Sequence, residues 1–358
     1  MRTVSGPRMR SCPEDFVVDE IPLYPPTGTG SHTFVRVEKR GRTTEEVARA
    51  LARAAGVSPS EVGYAGRKDR HALARQWFSV PGLDVERALA LVLVDARVLE
   101  AARHAHKLRT GHLRANAFDL RLRGVEAEAA DRARARLAVV MARGLPNRFG
   151  AQRYGARGDN VERGRAVLTG RLRMRDRRAA RFLVSALQAA VFDEALARRT
   201  QPLDAVETGD VAEVVATGGL FRVEQPEAEG PRAAAFEISA TGPILGGRTV
   251  EPFGEPAARE RAAGADFGID PDLVRRPPPG LRIRGARRPV RVAVREAGLE
   301  HAGDVLRLRF VLPPGSYATV FVEEVVGSVA DVGGPDDGAG GVGLPSGHSS
   351  VPRCEEAP

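Results

Sequence analysis

Lysine is almost absent from this chain. Of its 54 Lys and Arg residues only Lys39, Lys68 and Lys107 are lysines, so arginine carries nearly all of the positive charge. Aromatic residues are 5% of the 358 positions, with a single Trp. The two cysteines, Cys12 and Cys354, lie near opposite ends. They do not make a disulfide framework, and both are expected as reduced thiols in a cytoplasmic protein. No run of about 18 apolar residues exists, so no helical membrane span is expected, and the first residues lack the apolar stretch of a secretory signal. There is no Walker A sequence, and G-T-G-S-H-T from Gly28 lacks the third glycine of a dinucleotide fingerprint, so no cofactor is expected. His104, His106 and His112 fall close together. No Cys, Asp or Glu joins them locally, and Arg103, Lys107 and Arg109 would repel a cation, which argues against a metal.

What is present is enough for a folded core: 42% of the residues are hydrophobic, and the length suggests two domains or more. Lys+Arg exceeds Asp+Glu to give a net charge of +8. A pI of 10.2 points to nucleic acid or an anionic surface. An arginine bias of genomic origin would raise the pI in the same way. Arginine nevertheless suits phosphate, because its planar fork meets two oxygens at once.

The hydrophobic pattern predicts strands at 16–21 and 33–38, then a helix begun by Thr43 with Glu46 as capping-box partner and ended by Gly56. A strand over 75–80, a helix over 83–95 and strands over 97–107 and 115–123 follow. In the last, Phe118, Leu120 and Leu122 alternate with Asp119, Arg121 and Arg123, the period of a half-buried strand. A helix over 127–143, a loop over 145–155 and helices near 160–169 and 177–199 come next. Residues 200–285 are looser and rich in Gly and Pro. Strand character returns at 290–294 and 305–312, and an apolar helix or strand runs through Val326. The late strands are expected to rejoin the early sheet. That gives a discontinuous domain of residues 1–143 and 287–327, an inserted domain of residues 144–286, and a tail of residues 328–358 too polar to order.

The most informative stretch is G-Y-A-G-R-K-D-R-H-A-L-A-R-Q-W-F from Gly63. One carboxylate, Asp69, sits among Arg67, Lys68, Arg70 and His71, where a polyanion would be drawn in. A lone Asp after a glycine turn is more often a turn or cap residue, but cations around a carboxylate also suit nucleophilic or base work. Asn116 and Phe118 lie two apart on one strand face, where an amide and a ring can hold a base; a core Phe and a turn Asn are the plain alternative. Arg10 can pair with a carboxylate or phosphate, or stand solvated. Arg148 and Arg153 sit in a loop that also carries Phe149 and Tyr154. Arg175, Arg177 and Arg178 belong to an arginine run at 171–181 that reads as a phosphate-facing patch or a solvated helix start.

These segments together resemble the TruD family of tRNA pseudouridine synthases. The similarity is carried by P-E-D-F-V-V-D-E from Pro13, the segment around Asp69, and K-L-R-T-G-H-L-R-A-N-A-F from Lys107. L-P-N-R-F-G-A-Q-R-Y-G from Leu145, M-R-D-R-R from Met174 and L-P-P-G-S-Y-A-T from Leu312 continue it. The resemblance implies an α+β pseudouridine synthase fold, a mixed and largely antiparallel sheet with flanking helices, interrupted by an inserted α/β domain. It implies Asp69 as the catalytic aspartate, Phe118 as the base-stacking ring, and Arg10 and Asn116 as its support. Lys68, Arg148, Arg153, Arg175, Arg177 and Arg178 are then expected to bind RNA. The implied reaction turns a uridine of tRNA, at position thirteen of certain tRNAs, into pseudouridine without cofactor or metal. tRNA is the expected partner, with no membrane or nucleotide cofactor; a monomer is the default and the cytoplasm the expected location. Ala115, Ala190 and Asp193 stand where Gly, Ser and Asn are usual. A non-catalytic basic RNA-binding protein is the alternative, and an Asp-dependent glycosidase ranks last, since such enzymes usually need two carboxylates.

Overall fold

The structure, a computed structural model, describes residues 6–155, 157–269, 274 and 277–333. These fall into two compact units. The first holds the described residues up to Arg136, Val294–Gly315 and those from Val325 onward; the second holds Leu137–Ala293 and Ser316–Glu324. The divisions fall after Arg136 and after Ala293, and Ser316–Glu324 groups with the second unit.

Strands are numbered along the whole chain. The first unit contains β1 (Arg8–Met9), β2 (Phe16–Pro22), β3 (His32–Arg40), β4 (Gly63–Tyr64), β5 (Leu73–Pro81), β6 (Ala96–His104), β7 (Leu113–Arg123), β14 (Arg295–Ala302), β15 (Val305–Leu312) and β16 (Ala330–Asp331). The main path of its sheet runs β14-β15-β7-β2-β5-β3-β6. Only β2 with β5 and β1 with β16 are parallel among the described pairs. The late strand β15 lies on β7 with Phe310 opposite Phe118 and Leu312 opposite Asn116.

Side-chain alternation decides which face is which. Val35 and Val37 of β3 point with Phe78 toward helix α1 (Thr44–Ala55) and its Val47 and Leu51; Phe34 points the other way, against Trp77 and Leu108. Burying each such side chain contributes about 1.5–3 kcal/mol. Helix α1 starts as predicted, with a Thr43–Glu46 capping box, and stops at Gly56 in the left-handed region at φ 70°. Helix α2 (Val85–Leu89) is much shorter than the predicted 83–95. A bridge from Leu93 to Ala96 and a left-handed Asp95 at φ 50° turn the chain into β6 instead. Helix α3 (Ala127–Arg143) agrees with its prediction, and the division between the units falls within it.

The second unit contains β8 (Leu145–Pro146), β9 (Val211–Val214), β10 (Leu220–Arg222), β11 (Ile238–Ile244), β12 (Ala286–Pro289) and β13 (Arg291–Val292). Its antiparallel sheet runs β10-β9-β11-β12, and β13 pairs with β8. Helices α4 (Asn160–Leu168), α5 (Arg177–Ala197), α6 (Pro226–Ala234), α7 (Gly254–Asp266) and α8 (Ala318–Val325) accompany it. Helix α5 carries the apolar face, with Leu187 and Val191 in the core. At Gly164 of α4 a Cβ would sit 2.3 Å from the Leu183 carbonyl oxygen, so only glycine lets α4 and α5 approach this closely.

Two expectations about the chain's flanks are corrected. Residues from 328 were read as unstructured, yet β16 pairs with β1, because Pro7 and Met9 carbonyls accept the N–H groups of Ala330 and Val332 at 2.9 and 3.2 Å. Cys12 is disulfide-bonded, against the expectation of two reduced thiols. The rest of the expected tail, with Cys354, lies outside the described residues. No described helix is long and apolar enough to cross a membrane.

Candidate active site

The site grows from the first turn of α1. The buried Thr44 hydroxyl accepts the Lys68 backbone N–H at 2.9 Å and bonds Gln76 Oε1 at 2.8 Å. Gln76 in turn donates to the Gly66 carbonyl at 3.1 Å. Before it, the Gly-Tyr-Ala-Gly turn is pressed against the loop that precedes β7: an ideal Cβ at Gly63 would lie 2.2 Å from the Leu108 carbonyl oxygen. The segment leading to Asp69 is therefore fixed at both ends.

Asp69 is held by three groups. Lys39 Nζ donates to its carbonyl oxygen at 2.6 Å, His71 N–H donates to Oδ1 at 3.0 Å, and Arg10 Nη2 pairs with Oδ2 at 2.8 Å. Arg10 is itself 5% exposed and sits in the left-handed region at φ 58°. That conformation costs a non-glycine residue about 1–2 kcal/mol, and the contacts of its guanidinium oppose the cost. Beyond Asp69 these are the Phe16 ring, 4.2 Å below, and Asp331 of β16. Burial pushes the Asp331 carboxyl up, with Arg10 pulling the other way.

Phe16 continues the site into the sheet. Its ring meets the Phe118 ring edge-on at 6.1 Å, and Phe118 stacks on Phe310 at 5.1 Å. The pairing of β2 with β7 puts Phe16, Val18 and Glu20 on the same face as Leu120, Phe118 and Asn116. On that face Asn116 Oδ1 is buried with no hydrogen-bond partner among the described residues. An acceptor left open in this way costs free energy until something donates to it. The arrangement offers an anchored carboxylate, a ring and an open amide acceptor on one sheet face.

Comparison with known proteins settles the family. The profile described as tRNA pseudouridine synthase D (TruD) matches residues 3–175 and 171–325. The chain belongs to the TruD family. It is 44% identical over 342 residues to the tRNA pseudouridine synthase D of Anaeromyxobacter sp. strain Fw109-5, covering 93% of this chain and 96% of that one. It is 39% identical over 388 residues to the protein of that name from Geobacter metallireducens, covering 90% and 95%. A crystal structure from Methanosarcina mazei assigned to TruD superposes with a TM-score of 0.71 over 90% of this chain and 94% of that one, at 22% identity, which shows the shared fold.

Within this TruD chain, Asp69, Arg10, Asn116 and Phe118 all lie in the first unit: contacts run from Asp69 through Arg10 and Phe16 to Phe118, and Asn116 shares the Phe118 strand face. Lys68 is a correction. It was expected on the RNA, but its side chain is 6% exposed and its ammonium pairs at 2.6 Å with Glu20, which is 1% exposed. Glu20 also accepts the Trp77 N–H at 3.2 Å. Lys68 therefore builds the site from beneath. Glu20, Phe16 and Lys39 were not singled out beforehand. Phe16, Val18 and Glu20 alternate as an inward face, so a carboxylate recurring there was a usable signal; Asp331 had none.

The expected RNA residues of the second unit differ among themselves. Arg175, Arg177 and Arg178 are exposed around the start of α5, where Asp176 caps the helix by accepting the Arg178 N–H at 2.7 Å. Arg148 pairs with Glu323 at 3.4 Å and with Glu324, and Arg153 donates to Ser185 Oγ at 2.7 Å. Asp193 accepts the Phe149 N–H at 2.9 Å and the Tyr154 hydroxyl. Burial pushes Asp193 up, against these hydrogen bonds, and burial followed by the Asp193 contact pushes Tyr154 up as well.

Proposed function

We propose that this chain converts uridine to pseudouridine in tRNA, at position thirteen of its substrates, with Asp69 acting on the ribose of an extruded nucleotide. That it is a tRNA pseudouridine synthase, an isomerase, follows from its family. The observation that carries the residue assignment is the Arg10–Asp69 pair beside Phe16, Phe118 and an unpartnered Asn116 carbonyl. The target nucleotide leaves its stack at a cost of a few kcal/mol. Phe118 replaces the lost stacking on the ring face that Phe310 does not cover. Asn116 Oδ1 accepts a hydrogen bond from an N–H of the base or a hydroxyl of the sugar. Asp69 attacks C1′, or removes a ribose proton that is later returned; the C1′–N1 bond breaks, the uracil turns, and a C1′–C5 bond forms as any Asp69–C1′ bond breaks; the C5 proton leaves to water and N1 takes up a proton in its place. Nothing is oxidised and nothing is consumed. Arginine charge holds the RNA backbone, so binding weakens with salt. The enzyme works on tRNA in the cytoplasm, as a monomer.

Tritium release from tRNA transcribed with 5-tritiated uridine tests the reading, together with mapping of the modified position. Release stoichiometric with one pseudouridine per tRNA is expected. Tight binding without release would favour a non-catalytic RNA-binding protein instead. For the ring, Phe118→Leu preserves apolar bulk but removes the stacking plane, which is worth about 1–3 kcal/mol per base. A fall in kcat/KM of roughly 5- to 100-fold with an unchanged melting temperature is expected. Wild-type kinetics in this variant would leave Phe118 a core residue only.

A further inference from the structure

At the end of β3 remote from Asp69, four histidines meet. His32 opens β3, His104 closes β6 as its cross-strand partner, and His106 and His112 lie in the loop between β6 and β7. Tyr24, just past β2, stacks on the His104 ring at 5.1 Å and 11°, and its hydroxyl is 2.6 Å from His112 Nδ1. Lys107 and Arg109 complete the rim of a cavity of about 1050 Å³. One wall is fitted too closely to be a casual surface fold: a Cβ at Gly30 would lie 2.5 Å from the Ala105 Cα, and Gly28 N–H donates to the Arg103 carbonyl at 2.9 Å.

The chemistry of this cavity is one-sided. Among the described residues lining it none is acidic, while four imidazoles, an ammonium and a guanidinium are present. Nearby carboxylates are engaged elsewhere: Asp84 pairs with Arg103 at 2.9 Å, and Glu61 accepts the Ser58 N–H at 2.9 Å. His104 is 5% exposed, and its Nδ1 and that of His32 are buried without a partner. Burial first, then Lys107 and His106, holds His32 low; burial first, then His106 and His32, holds His104 low. Such neighbours repel a metal ion, and no cluster of three or more metal-ligating side chains occurs among the described residues. Lys107 Nζ also donates to the Ser60 carbonyl at 2.6 Å, which leaves its charge unneutralised.

We propose that this cavity is a second RNA contact, binding a backbone phosphate of the tRNA away from the target uridine. The proposal rests on the reading that tRNA is the substrate. Lys39, which holds the Asp69 carbonyl, lies seven positions after His32, a distance of roughly 23 Å along the strand. His32 also shares its sheet face with Phe34 and not with Lys39. The phosphate therefore belongs to a part of the folded tRNA outside the reacting loop. The two sites share one support, because Gly111 N–H donates to the Ala65 carbonyl at 2.8 Å, joining the cationic loop to the turn that leads to Asp69. An anion favours the imidazolium form, so binding takes up protons.

The test uses Lys107→Ala/Arg109→Ala in the full chain, with an unmodified tRNA transcript as probe, read by fluorescence anisotropy and by tritium release. Near physiological salt the Kd and KM are expected to rise about 10-fold, more than kcat changes, and the log–log salt slope to fall by about 1–2. Calorimetry of the wild type in two buffers of different ionisation enthalpy should show proton uptake that shrinks in His32→Gln. An unchanged Kd and salt slope in the double variant, or no proton uptake in the wild type, overturns the proposal. If affinity shifts as expected but no pseudouridine forms with either protein, the phosphate site stands and the catalytic reading falls.

Discussion

Asp69→Asn is expected to bind tRNA with near wild-type affinity and to form pseudouridine about 10⁴-fold more slowly, or not at all. The magnitude is that of removing a group that makes or breaks bonds directly. The substitution is a clean one here. The Lys39 bond goes to the Asp69 backbone carbonyl, so it is untouched, and an amide oxygen can still accept the His71 N–H. Arg10 keeps its contacts with Asp331 and the Phe16 ring. A folding defect is therefore not the expected cause of lost turnover. Single-turnover tritium release beside tRNA anisotropy measures both quantities. A rate within tenfold of wild type would remove Asp69 from the chemistry.

Glu20→Gln carries the largest expected effect on stability. It leaves the Lys68 ammonium in a site that is 6% exposed with no opposite charge. Breaking one partner of such a buried pair costs about 3–5 kcal/mol. At about 2–4 °C per kcal/mol the melting temperature should fall by roughly 10 °C. Glu20→Leu/Lys68→Met removes both charges and should recover most of that loss, since a well-packed apolar pair can replace a buried ion pair. The double variant should nevertheless turn over slowly, because Lys68 directly precedes Asp69 and its anchoring to β2 is gone. Full activity with recovered stability would show that the pair serves stability alone.

Much of this architecture is legible in the amino-acid order, for reasons that differ from element to element. Thr43, Glu46 and Gly56 announce α1 because caps are local chemistry, and β7 announces itself through strict alternation. Helix α6 does not, since Gly230 and Pro231 interrupt it, and its Ala233 is held in a core cluster with Val223, Ile238 and Ala240. β11 is hidden in the same way by Gly242 and Pro243. β14 has little apolar periodicity because it closes one end of the sheet's main path. In the site, Asp69 stands out by its charged neighbours, and the family pattern supplies Arg10, Asn116 and Phe118. The pairing of Lys68 with Glu20 depends on two segments 48 residues apart meeting beneath the sheet, which no local window can report.

The scarcity of lysine has a practical side. Lys39 is 1% exposed and ties down two carbonyl groups, and Lys68 is sealed on its carboxylate. Apart from the terminal amine, an amine-directed reagent finds a reachable target only at Lys107, on the rim of the histidine cavity. A fluorophore or crosslinker could thus be installed at one known place without engineering the chain, and quenching or capture by nucleic acid would report from that place.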